Sequence, residues 1–360
     1  MRLALAAGGT GGHMFPAQAL AEEAKERGWS ILLLTDARGK RYIDGFPADD
    51  VVELAAASPS AAGLGAKFRA GITLLGGVRQ AGRAMAQFQA QGVVGFGGYP
   101  SAPSMLAAQR RKLPTGLHEQ NAVLGRANRL AAGQARFLAH GFPVLTRAPS
   151  KARLIETGNP VRQAVLDAAA TAYADPNGGP VKIVIFGGSQ GASLFARVFP
   201  SAFASLPEHP RSRLDIVHQA ADADLESAER VYSAAGIRVE LAPFFSDLPR
   251  RLAESHLVIA RSGASTVTEL AVIGRPSILI PLKIAMDDHQ RVNADVLVDA
   301  GAAVRILEDD LAPQGVVDTL TSLLSEPQRL TRMAEAAKGR MVKGAAGKLA
   351  DLIEERMVTR

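Results

Sequence analysis

The 360-residue sequence contains no cysteine, and this absence excludes several kinds of protein. A disulfide scaffold, a thiolate zinc site and a cysteine nucleophile all require that residue. Long apolar runs are missing too, since no stretch approaches the roughly 18 apolar residues that cross a bilayer. The short run after Met1 leads into glycines rather than into a cleavage site. We therefore expect a cytoplasmic protein, which leaves binding to a membrane surface open.

Aromatic residues make up only 5% of the chain, with a single Trp, and no helix-turn-helix or RNA-binding signature is present. Both observations argue against recognition of stacked bases, so we expect no nucleic-acid partner. The composition is 47% hydrophobic and 21% charged, which is typical of a packed protein and excludes a disordered chain. A net charge of +6 favours an anionic partner, such as a phosphorylated substrate or an acidic lipid.

Short apolar runs alternate with amphipathic stretches, which predicts an α/β protein with parallel sheets covered by helices. The strands are predicted near 3–7, 31–35, 93–96, 115–118, 137–139, 181–186, 214–218, 239–241, 257–260, 278–281 and 303–306. The helices of the first half are predicted near 16–27, 75–89, 102–110 and 124–132, and those of the second half begin near Gly191, Ala264 and Asp287. The length favours two domains.

A turn from strand to glycines occurs twice, as A-G-G-T-G-G-H from Ala7 and as F-G-G-S-Q-G-A from Phe186, about half the chain apart. This repetition indicates a duplicated Rossmann-like unit with a ligand cleft between the halves. We expect an N-terminal domain over 1–160, a second domain over 161–340 and a C-terminal helix over 341–360 that packs back on the first domain. Each loop brings helix N-terminal amides against a phosphate, although glycines also serve strand–helix packing.

Polar residues follow several predicted strands, where α/β sheets bind ligands. His13 comes directly after the first glycine loop and is interpreted either as a general base or as a helix-capping, phosphate-binding residue. The segment 118–121, H-E-Q-N, follows another strand. Residues 261–269 supply hydroxyls, new amides and Glu269, which suits a ribose diol, and the polar cluster 287–290 suits a sugar.

Two further patterns are open to simpler explanations. Residues 67–83 alternate apolar and basic side chains, which fits either a helix on anionic lipid or a core-facing helix with a solvated basic side. The pairs Asp222/Asp224 and Asp287/Asp288 look like metal ligands but are better explained as helix starts. We expect no metal and no cofactor.

The ordered motifs G-G-T-G-G-H, H-E-Q-N-x-x-x-G-x-x-N, G-N-P-V-R, G-G-S-Q-G-A, R-S-G-A-x-T-x-x-E and D-x-Q-x-x-N-A resemble those of the MurG family. They run from Gly8 to Ala294, so the resemblance covers most of the chain. It implies a GT-B fold with two Rossmann-like, doubly wound domains facing a central cleft. It also implies an inverting, metal-independent transfer of N-acetylglucosamine from its UDP donor to the 4-hydroxyl of undecaprenyl-pyrophosphoryl-N-acetylmuramoyl-pentapeptide, at the cytoplasmic face of the bacterial cell membrane.

The resemblance also implies roles for individual residues. His13 matches the family's base. The positions that match donor-binding residues are Thr10, Gly11, Gly12, Asn121, Arg162, Ser189, Phe245, Ala264, Ser265, Thr266, Val267, Thr268, Glu269 and Gln290. Phe245 matches by position only, because the family commonly has an aliphatic residue there. Contact with an anionic membrane is assigned to Lys67, Phe68, Arg69, Ile72, Leu75 and Arg79.

Two other functions fit the same scaffold. A UDP-N-acetylglucosamine 2-epimerase needs no lipid acceptor, and the amphipathic stretch 67–83 favours the transferase over it. A non-catalytic nucleotide-sugar-binding subunit would keep the glycine loops but would need neither His13 nor Glu269, and both residues are present.

Overall fold

The computed structural model describes residues 1–55, 64–188, 192–340 and 342–357. The chain divides into two compact units. One consists of Met1–Arg162 together with Val342–Arg360, and the other consists of Gln163–Met341. Each unit is built around one parallel β-sheet.

The first unit carries a seven-stranded parallel sheet in the order β3-β2-β1-β4-β5-β6-β7. Its strands are β1 (Arg2–Ala7), β2 (Ser30–Thr35), β3 (Asp50–Glu53), β4 (Gly92–Gly97), β5 (Thr115–Glu119), β6 (Phe137–His140) and β7 (Leu154–Glu156). Its helices are α1 (Gly11–Glu26), α2 (Leu64–Gln87), α3 (Ser101–Arg110), α4 (Arg126–Ala131) and, from the end of the chain, α14 (Ala345–Met357).

Alternation along β1 separates two apolar cores, because successive side chains of a strand point to opposite faces of the sheet. Leu3 and Leu5 pack with residues of α1 and α14 on one face. Ala4 and Ala6 pack with residues of α2, α3 and α4 on the other. Helix α14 therefore completes the core of the first unit, although it lies at the far end of the chain.

The second unit carries a six-stranded parallel sheet in the order β10-β9-β8-β11-β12-β13. Its strands are β8 (Val181–Phe186), β9 (Leu214–Gln219), β10 (Arg238–Ala242), β11 (Leu257–Ala260), β12 (Ser277–Leu279) and β13 (Ala303–Arg305). Its helices are α5 (Gln163–Ala168), α6 (Ala192–Ala204), α7 (Glu208–Arg211), α8 (Leu225–Ala234), α9 (Leu248–Glu254), α10 (Ala264–Ile273), α11 (His289–Val298), α12 (Pro313–Ser325) and α13 (Pro327–Lys338).

The two sheets follow the same strand order over six positions, which is the doubly wound order of dinucleotide-binding folds. In such sheets the chain leaves the central strands in opposite directions, so ligands bind at the carboxyl ends of the strands. Both glycine loops lie at that edge of their own sheet, since one follows β1 and the other follows β8.

Some predicted boundaries were wrong. The helix predicted near 75–89 begins at Leu64 and ends at Gln87, and the helix predicted near 124–132 covers only Arg126–Ala131. Strands β3 and β7 were missed because they lie at the two edges of the sheet and are mostly exposed. Edge strands of this kind lack the continuous apolar run that marks a buried parallel strand.

Candidate functional site

The first glycine loop connects β1 to α1 and is fastened by Asp36, which follows β2. The main-chain amides of Gly9 and Gly39 both donate to Asp36 Oδ1 at 2.8 Å. Thr10 is the N-cap residue of α1 in an extended conformation, and among the described residues its hydroxyl caps no amide of the helix. The Thr10 hydroxyl and the amides of Gly11 and Gly12 therefore lie together at a helix N-terminus, where the helix dipole favours a negative group.

His13 lies in the first turn of α1 and is half-buried. Its ring packs against Gly97, the last residue of β4, where a β-carbon would lie 3.0 Å from His13 Cε1 and the backbone φ is +94°. Both facts require glycine at position 97. His13 Nδ1 lies 3.0 Å from Oε1 of Gln120, which follows β5. The fold thus brings together the first glycine loop and the H-E-Q-N segment.

Glu119, the last residue of β5, organises this segment through its buried carboxylate. Oε1 accepts from the main-chain amide of Asn121 at 3.1 Å and from Asn121 Nδ2 at 3.0 Å. Oε2 accepts from the amide of Gly125 and from Asn128 Nδ2, both at 2.9 Å. The spacing E-x-N-x-x-x-G-x-x-N within the motif therefore has a structural reason, because Glu119 binds Asn121, Gly125 and Asn128 and so holds Asn121 in place.

His118 lies beneath this loop and is fully buried. Its Nε2 lies 3.0 Å from the carbonyl oxygen of Gly158. Burial lowers the pKa of His118 to about 4. His118 is therefore neutral at pH 7 and carries one ring proton.

Arg162 belongs to the first unit, although the predicted domain boundary assigns it to the second. Its guanidinium carbon lies 3.8 Å from the centroid of the Phe15 ring, a cation–π contact with α1. Phe15 follows His13 by two residues on the same helix. Arg162 thus places a positive charge against the helix that carries His13.

In the second unit, the loop after β8 is held by Gln219, the last residue of β9. The amide of Gly188 donates to Gln219 Oε1 at 3.1 Å, and Gln219 Nε2 donates to the carbonyl oxygen of Pro243 at 3.0 Å. Ser189, a predicted donor-binding residue, lies outside the described residues. Gln219 therefore connects the second glycine loop to the loop that follows β10.

Arg261 follows β11 and is 7% exposed. Its Nη1 donates to the carbonyl oxygens of Ile280 at 3.2 Å and Pro281 at 3.4 Å, and it pairs with Glu308. Burial lowers the pKa of Arg261, and the attraction of Glu308 opposes that effect. The buried Arg261 side chain therefore links the carboxyl ends of β11 and β12 through hydrogen bonds.

Helix α10 begins at Ala264, as predicted, after Gly263 as N-cap residue. The predicted donor-binding residues 264–269 form its first turns, and their side chains differ in exposure. Ser265 and Thr266 are half-buried and accessible, whereas Val267 is fully buried and Thr268 Oγ1 donates back to Ala264 O at 2.8 Å. The side chains of Val267 and Thr268 are therefore not available to a ligand, and the main-chain amide of Val267 donates to the carbonyl oxygen of Gly263 at 3.0 Å. Glu269 is 8% exposed.

Gln290 lies in the first turn of α11, and its Oε1 accepts from the amide of Leu282 at 3.0 Å. The two residues before the helix, Asp287 and Asp288, have φ values of 56° and 53°. This left-handed conformation is uncommon for residues other than glycine, and it often marks ligand sites. Asp287 and Asp288 thus turn the chain sharply at the carboxyl edge of the second sheet.

Phe245 and its neighbour Phe244 have opposite environments. Phe245 is 9% exposed, and the guanidinium carbon of Arg251 lies 4.5 Å from its ring centroid. Phe244 is 73% exposed. The predicted contact of Phe245 with a ligand is therefore restricted to its main chain, and the accessible ring at this edge is that of Phe244.

Helix α2 has two different faces. Val78, Ala81 and Met85 are buried in the core. Ile72 is 56% exposed and Leu75 is 49% exposed. The basic residues on the outer face, Arg79 and Arg83, are exposed as well. Lys67, Phe68 and Arg69 belong to the same helix, but their side chains lie outside the described part of the chain. The interpretation as a core-facing helix therefore holds for the inner face of α2, and contact of its outer face with anionic lipid stays a prediction.

No helix in the described part of the chain combines the length and the apolarity needed to span a bilayer. No group of three or more His, Asp or Glu side chains there is arranged to hold a metal ion.

Comparison with known proteins matches both units to one family. The glycosyltransferase family 28 N-terminal domain matches residues 3–138, and the family 28 C-terminal domain matches residues 182–349. A UDP-N-acetylglucosamine–N-acetylmuramyl-(pentapeptide) pyrophosphoryl-undecaprenol N-acetylglucosamine transferase of Caulobacter vibrioides is 48% identical over 98% of both chains. The transferase of that name from Methylorubrum extorquens is 47% identical over 97% of this chain and 96% of its own.

A solved structure agrees with these matches. The crystal structure of Acinetobacter baumannii MurG superimposes with a TM-score of 0.80, at 30% identity, over 99% of this chain and 100% of that one. This chain belongs to the MurG family. The resemblance identified from the six motifs is thereby confirmed, and so is the predicted GT-B glycosyltransferase fold with two parallel-sheet α/β units.

A more distant likeness concerns the fold alone. A Listeria monocytogenes protein assigned as a UDP-N-acetylglucosamine 2-epimerase superimposes with a TM-score of 0.70 at 15% identity. The fold therefore does not separate the MurG transferases from such epimerases, and the residues of the site must do so.

The structure adds residues that sequence reasoning did not single out. Asp36 and Gln219 each hold one of the two glycine loops. Each lies at or shortly after the carboxyl end of a strand. The position after a strand could have marked each residue as a candidate for the site. It could not show which loop the residue holds, because that loop is distant in the sequence.

Proposed function

We propose that this chain transfers N-acetylglucosamine from UDP-N-acetylglucosamine to the 4-hydroxyl of undecaprenyl-pyrophosphoryl-N-acetylmuramoyl-pentapeptide. The observation that carries the proposal is 47–48% identity, over almost the full length of both chains, to transferases named for this reaction. The half-buried His13, beside a helix N-terminus and an amide network, supports a catalytic role over mere binding of a nucleotide sugar.

The first unit supplies the base in this mechanism. His13 takes the proton of the muramoyl 4-hydroxyl as the oxygen attacks the anomeric carbon of the donor sugar. A new C–O bond forms there while the bond to the UDP oxygen breaks, and its electron pair leaves with the diphosphate. Attack from the face opposite UDP inverts the anomeric centre, and the product is a β-1,4-linked disaccharide on the lipid.

The second unit binds the nucleotide in this proposal. The turns after β8, β11 and β12 all lie at the carboxyl edge of its sheet, and α10 offers amides and hydroxyls from its first turn. Glu269 binds the ribose diol, Gln290 binds the sugar, and the main chain at Phe245 meets the uracil. We assign Thr10, Gly11, Gly12 and Asn121 of the first unit to the donor sugar and its phosphates.

The departing diphosphate needs positive charge or hydrogen-bond donors. Arg162, Ser189 and the helix N-terminal amides supply them in this proposal, so the transfer proceeds without a metal. Preorganised donors of this kind account for much of the rate enhancement in many enzymes, because they need no reorganisation during the reaction.

Access to a lipid-linked acceptor explains the outer face of α2. Ile72 and Leu75 are apolar and exposed, and Arg79 lies one turn further along the helix. A helix with this combination inserts its apolar side chains between lipids while its arginines meet anionic head groups. We therefore propose that the chain binds the cytoplasmic face of the cell membrane through this helix, including Lys67, Phe68 and Arg69.

The deciding experiment measures transfer of labelled N-acetylglucosamine from the UDP donor to the lipid-linked acceptor, with EDTA present and with a reaction lacking acceptor as control. We expect a lipid-linked product that depends on the acceptor and resists the chelator. Conversion of the UDP sugar to its 2-epimer without acceptor would replace this proposal by an epimerase. Donor binding with neither product would replace it by a non-catalytic subunit.

A further inference from the structure

The side-chain amide of Gln120 lies between two histidines and is 1% exposed. Its Oε1 is 3.0 Å from His13 Nδ1. Its Nε2 is 3.0 Å from His118 Nδ1 and 3.1 Å from the carbonyl oxygen of His118. Three polar contacts thus fix one small planar group, and together they determine where the ring protons lie.

The direction of the Gln120 amide follows from the His118 end. A carbonyl oxygen can only accept, so the group that faces the His118 carbonyl must be the NH₂ of Gln120. The same NH₂ faces His118 Nδ1, which must therefore accept. His118 then carries its single proton on Nε2, where the carbonyl oxygen of Gly158 accepts it at 3.0 Å. Each donor in this series of hydrogen bonds, from Gln120 through His118 to Gly158, faces an acceptor.

The consequence at the other end concerns His13. Because the NH₂ of Gln120 faces His118, its oxygen faces His13 Nδ1, and an oxygen can only accept. His13 must therefore carry a proton on Nδ1, which leaves the lone pair of the neutral ring on Nε2. Among the described residues, His13 Nε2 has no hydrogen-bond partner, and the side chain is half-buried rather than enclosed.

We infer that Gln120 is a positioning residue that selects the Nδ1–H tautomer of His13 and so presents Nε2 as the basic nitrogen. The inference rests on the proposed function, in which His13 is the base. The hydrogen bond at one imidazole nitrogen decides the state of the other, and free histidine in water favours the opposite tautomer. Gln120 therefore makes the Nε2 lone pair available in nearly all neutral molecules.

The same contact acts during the proton transfer. When Nε2 receives the hydroxyl proton, His13 becomes a cation that donates from Nδ1 to a neutral amide oxygen. That bond is then charge-assisted and stronger than in the resting enzyme. Gln120 thus stabilises the protonated base without itself gaining or losing a proton.

Nitrogen NMR of the wild-type chain, labelled with ¹⁵N only in histidine, tests the tautomer directly. The chain has 7 histidines, and the spectrum of His13→Ala identifies the His13 signals by their loss. The pH is set to about 8.5, well above the roughly 6.5 of an ordinary histidine pKa. We expect a proton-bearing Nδ1 and a proton-free Nε2. A predominantly Nε2-protonated His13 in the wild-type chain would overturn the inference, and this measurement needs neither a Gln120 variant nor enzymatic activity.

The Gln120→Met variant tests the cause, because methionine fills a similar volume without an amide. We expect the His13 signals to move toward the Nε2–H tautomer. We also expect kcat to fall about 10-fold or more, yet less than the roughly 10²- to 10⁴-fold effect of losing a general base, with an unchanged donor KM. An unchanged tautomer in a folded Gln120→Met would count against the inference.

Gln109→Met is the matched control, because it makes the same change in α3 of the same unit, where Gln109 Nε2 has no hydrogen-bond partner among the described residues. We expect wild-type His13 signals and wild-type kcat. The tautomer inference and the proposed base role of His13 can also be tested independently of each other. A correct tautomer combined with full turnover in His13→Ala would refute the base role and leave the Gln120 contact standing.

Discussion

Ser262 donates from its hydroxyl to the main-chain carbonyl of Gln290 at 2.8 Å. The carbonyl of Ser262 in turn accepts from Asn293 Nδ2 at 3.2 Å, and both Ser262 and Asn293 are fully buried. The turn that starts α10 is therefore tied to the first two turns of α11 by two hydrogen bonds. The two segments assigned to nucleotide and sugar hold a fixed geometry before any ligand binds.

Replacing Ser262 by alanine should loosen this connection. A net hydrogen bond contributes about 1 kcal/mol, so we expect the donor KM to rise roughly fivefold. The kcat should change little, because the base lies in the other unit. Steady-state kinetics with varied donor measure both constants. Ser205→Ala, which removes an exposed hydroxyl bonded to Ser201 within one helix end, serves as control. An equal rise of the donor KM in both variants would mean that the Ser262 contact has no specific role in donor binding.

His13→Ala should abolish most of the turnover and spare the donor. We expect kcat to fall by roughly 10² to 10⁴, the usual effect of losing a general base. Calorimetric titration with UDP should give an affinity within about twofold of the wild type. His209→Ala, at an exposed histidine of α7, is the control. Wild-type turnover in His13→Ala would remove the assignment of the base.

Glu269 should distinguish a ribose from a deoxyribose. Hydrogen bonds to a charged group contribute about 1.5–3 kcal/mol, so Glu269→Gln should bind UDP about 10- to 100-fold more weakly. The sharper measurement compares UDP with 2′-deoxy-UDP. We expect the wild type to discriminate between them and the variant to lose most of that discrimination, while Glu229→Gln, at an exposed position of α8, behaves as wild type. Equal discrimination by Glu269→Gln and wild type would place the diol elsewhere.

The outer face of α2 should control binding to lipid vesicles. Removing Arg79 and Arg83 should weaken binding to anionic vesicles by roughly fivefold for each charge, since a basic residue near such a surface contributes about 1 kcal/mol. Binding to neutral vesicles should not change. The double variant Ile72→Ser with Leu75→Ser should weaken binding to both vesicle types, because apolar insertion does not depend on lipid charge.

Vesicle sedimentation measures both effects. Leu154→Ser is the matched control, because Leu154 is 44% exposed but lies on the edge strand β7 rather than on α2. Vesicle binding that survives all of these α2 changes would refute the membrane proposal for this helix.

Acid should destabilise the second unit through His218, a buried residue of β9 whose Nδ1 lies 3.0 Å from the Tyr232 hydroxyl. Burial lowers the pKa of His218 from 6.5 to about 3. The unfolded chain therefore binds more protons than the folded chain between those pH values. The free energy of unfolding is consequently unaffected by His218 well above pH 6.5, and it decreases as the pH is lowered from 6.5 toward 3. We expect a loss of about 2 kcal/mol in the free energy of unfolding between pH 7 and pH 5 from this residue.

Urea unfolding followed by circular dichroism at the two pH values tests the contribution of His218. The double variant His218→Phe with Tyr232→Phe removes both polar atoms and keeps an edge-on aromatic contact. We expect it to lose about 2 kcal/mol less than the wild type on acidification. His209→Gln, at an exposed histidine, should keep the wild-type pH dependence. An unchanged dependence in the double variant would mean that His218 is not the titrating group.

Patterns in the sequence were sufficient to predict the fold class, the position of both glycine loops and the family. These features depend on local patterns: buried strands are continuous apolar runs, and glycine turns follow them directly. Helix α10 begins at the predicted residue for the same reason. The edge strands β3 and β7 lacked such a pattern and were found only in the structure.

Which of the predicted residues can act through their side chains depends on the packing of the folded chain. Val267 and Thr268 lie in the same predicted donor-binding segment as Ser265, yet burial removes their side chains from contact with a ligand, and the amide of Val267 donates to the carbonyl oxygen of Gly263. The contact between Gln120 and His13 spans 107 residues of sequence, and no local pattern relates the two. Parallel strands adjacent in the sheet are distant along the chain, so the polar groups that meet at their ends become neighbours only when the sheet forms.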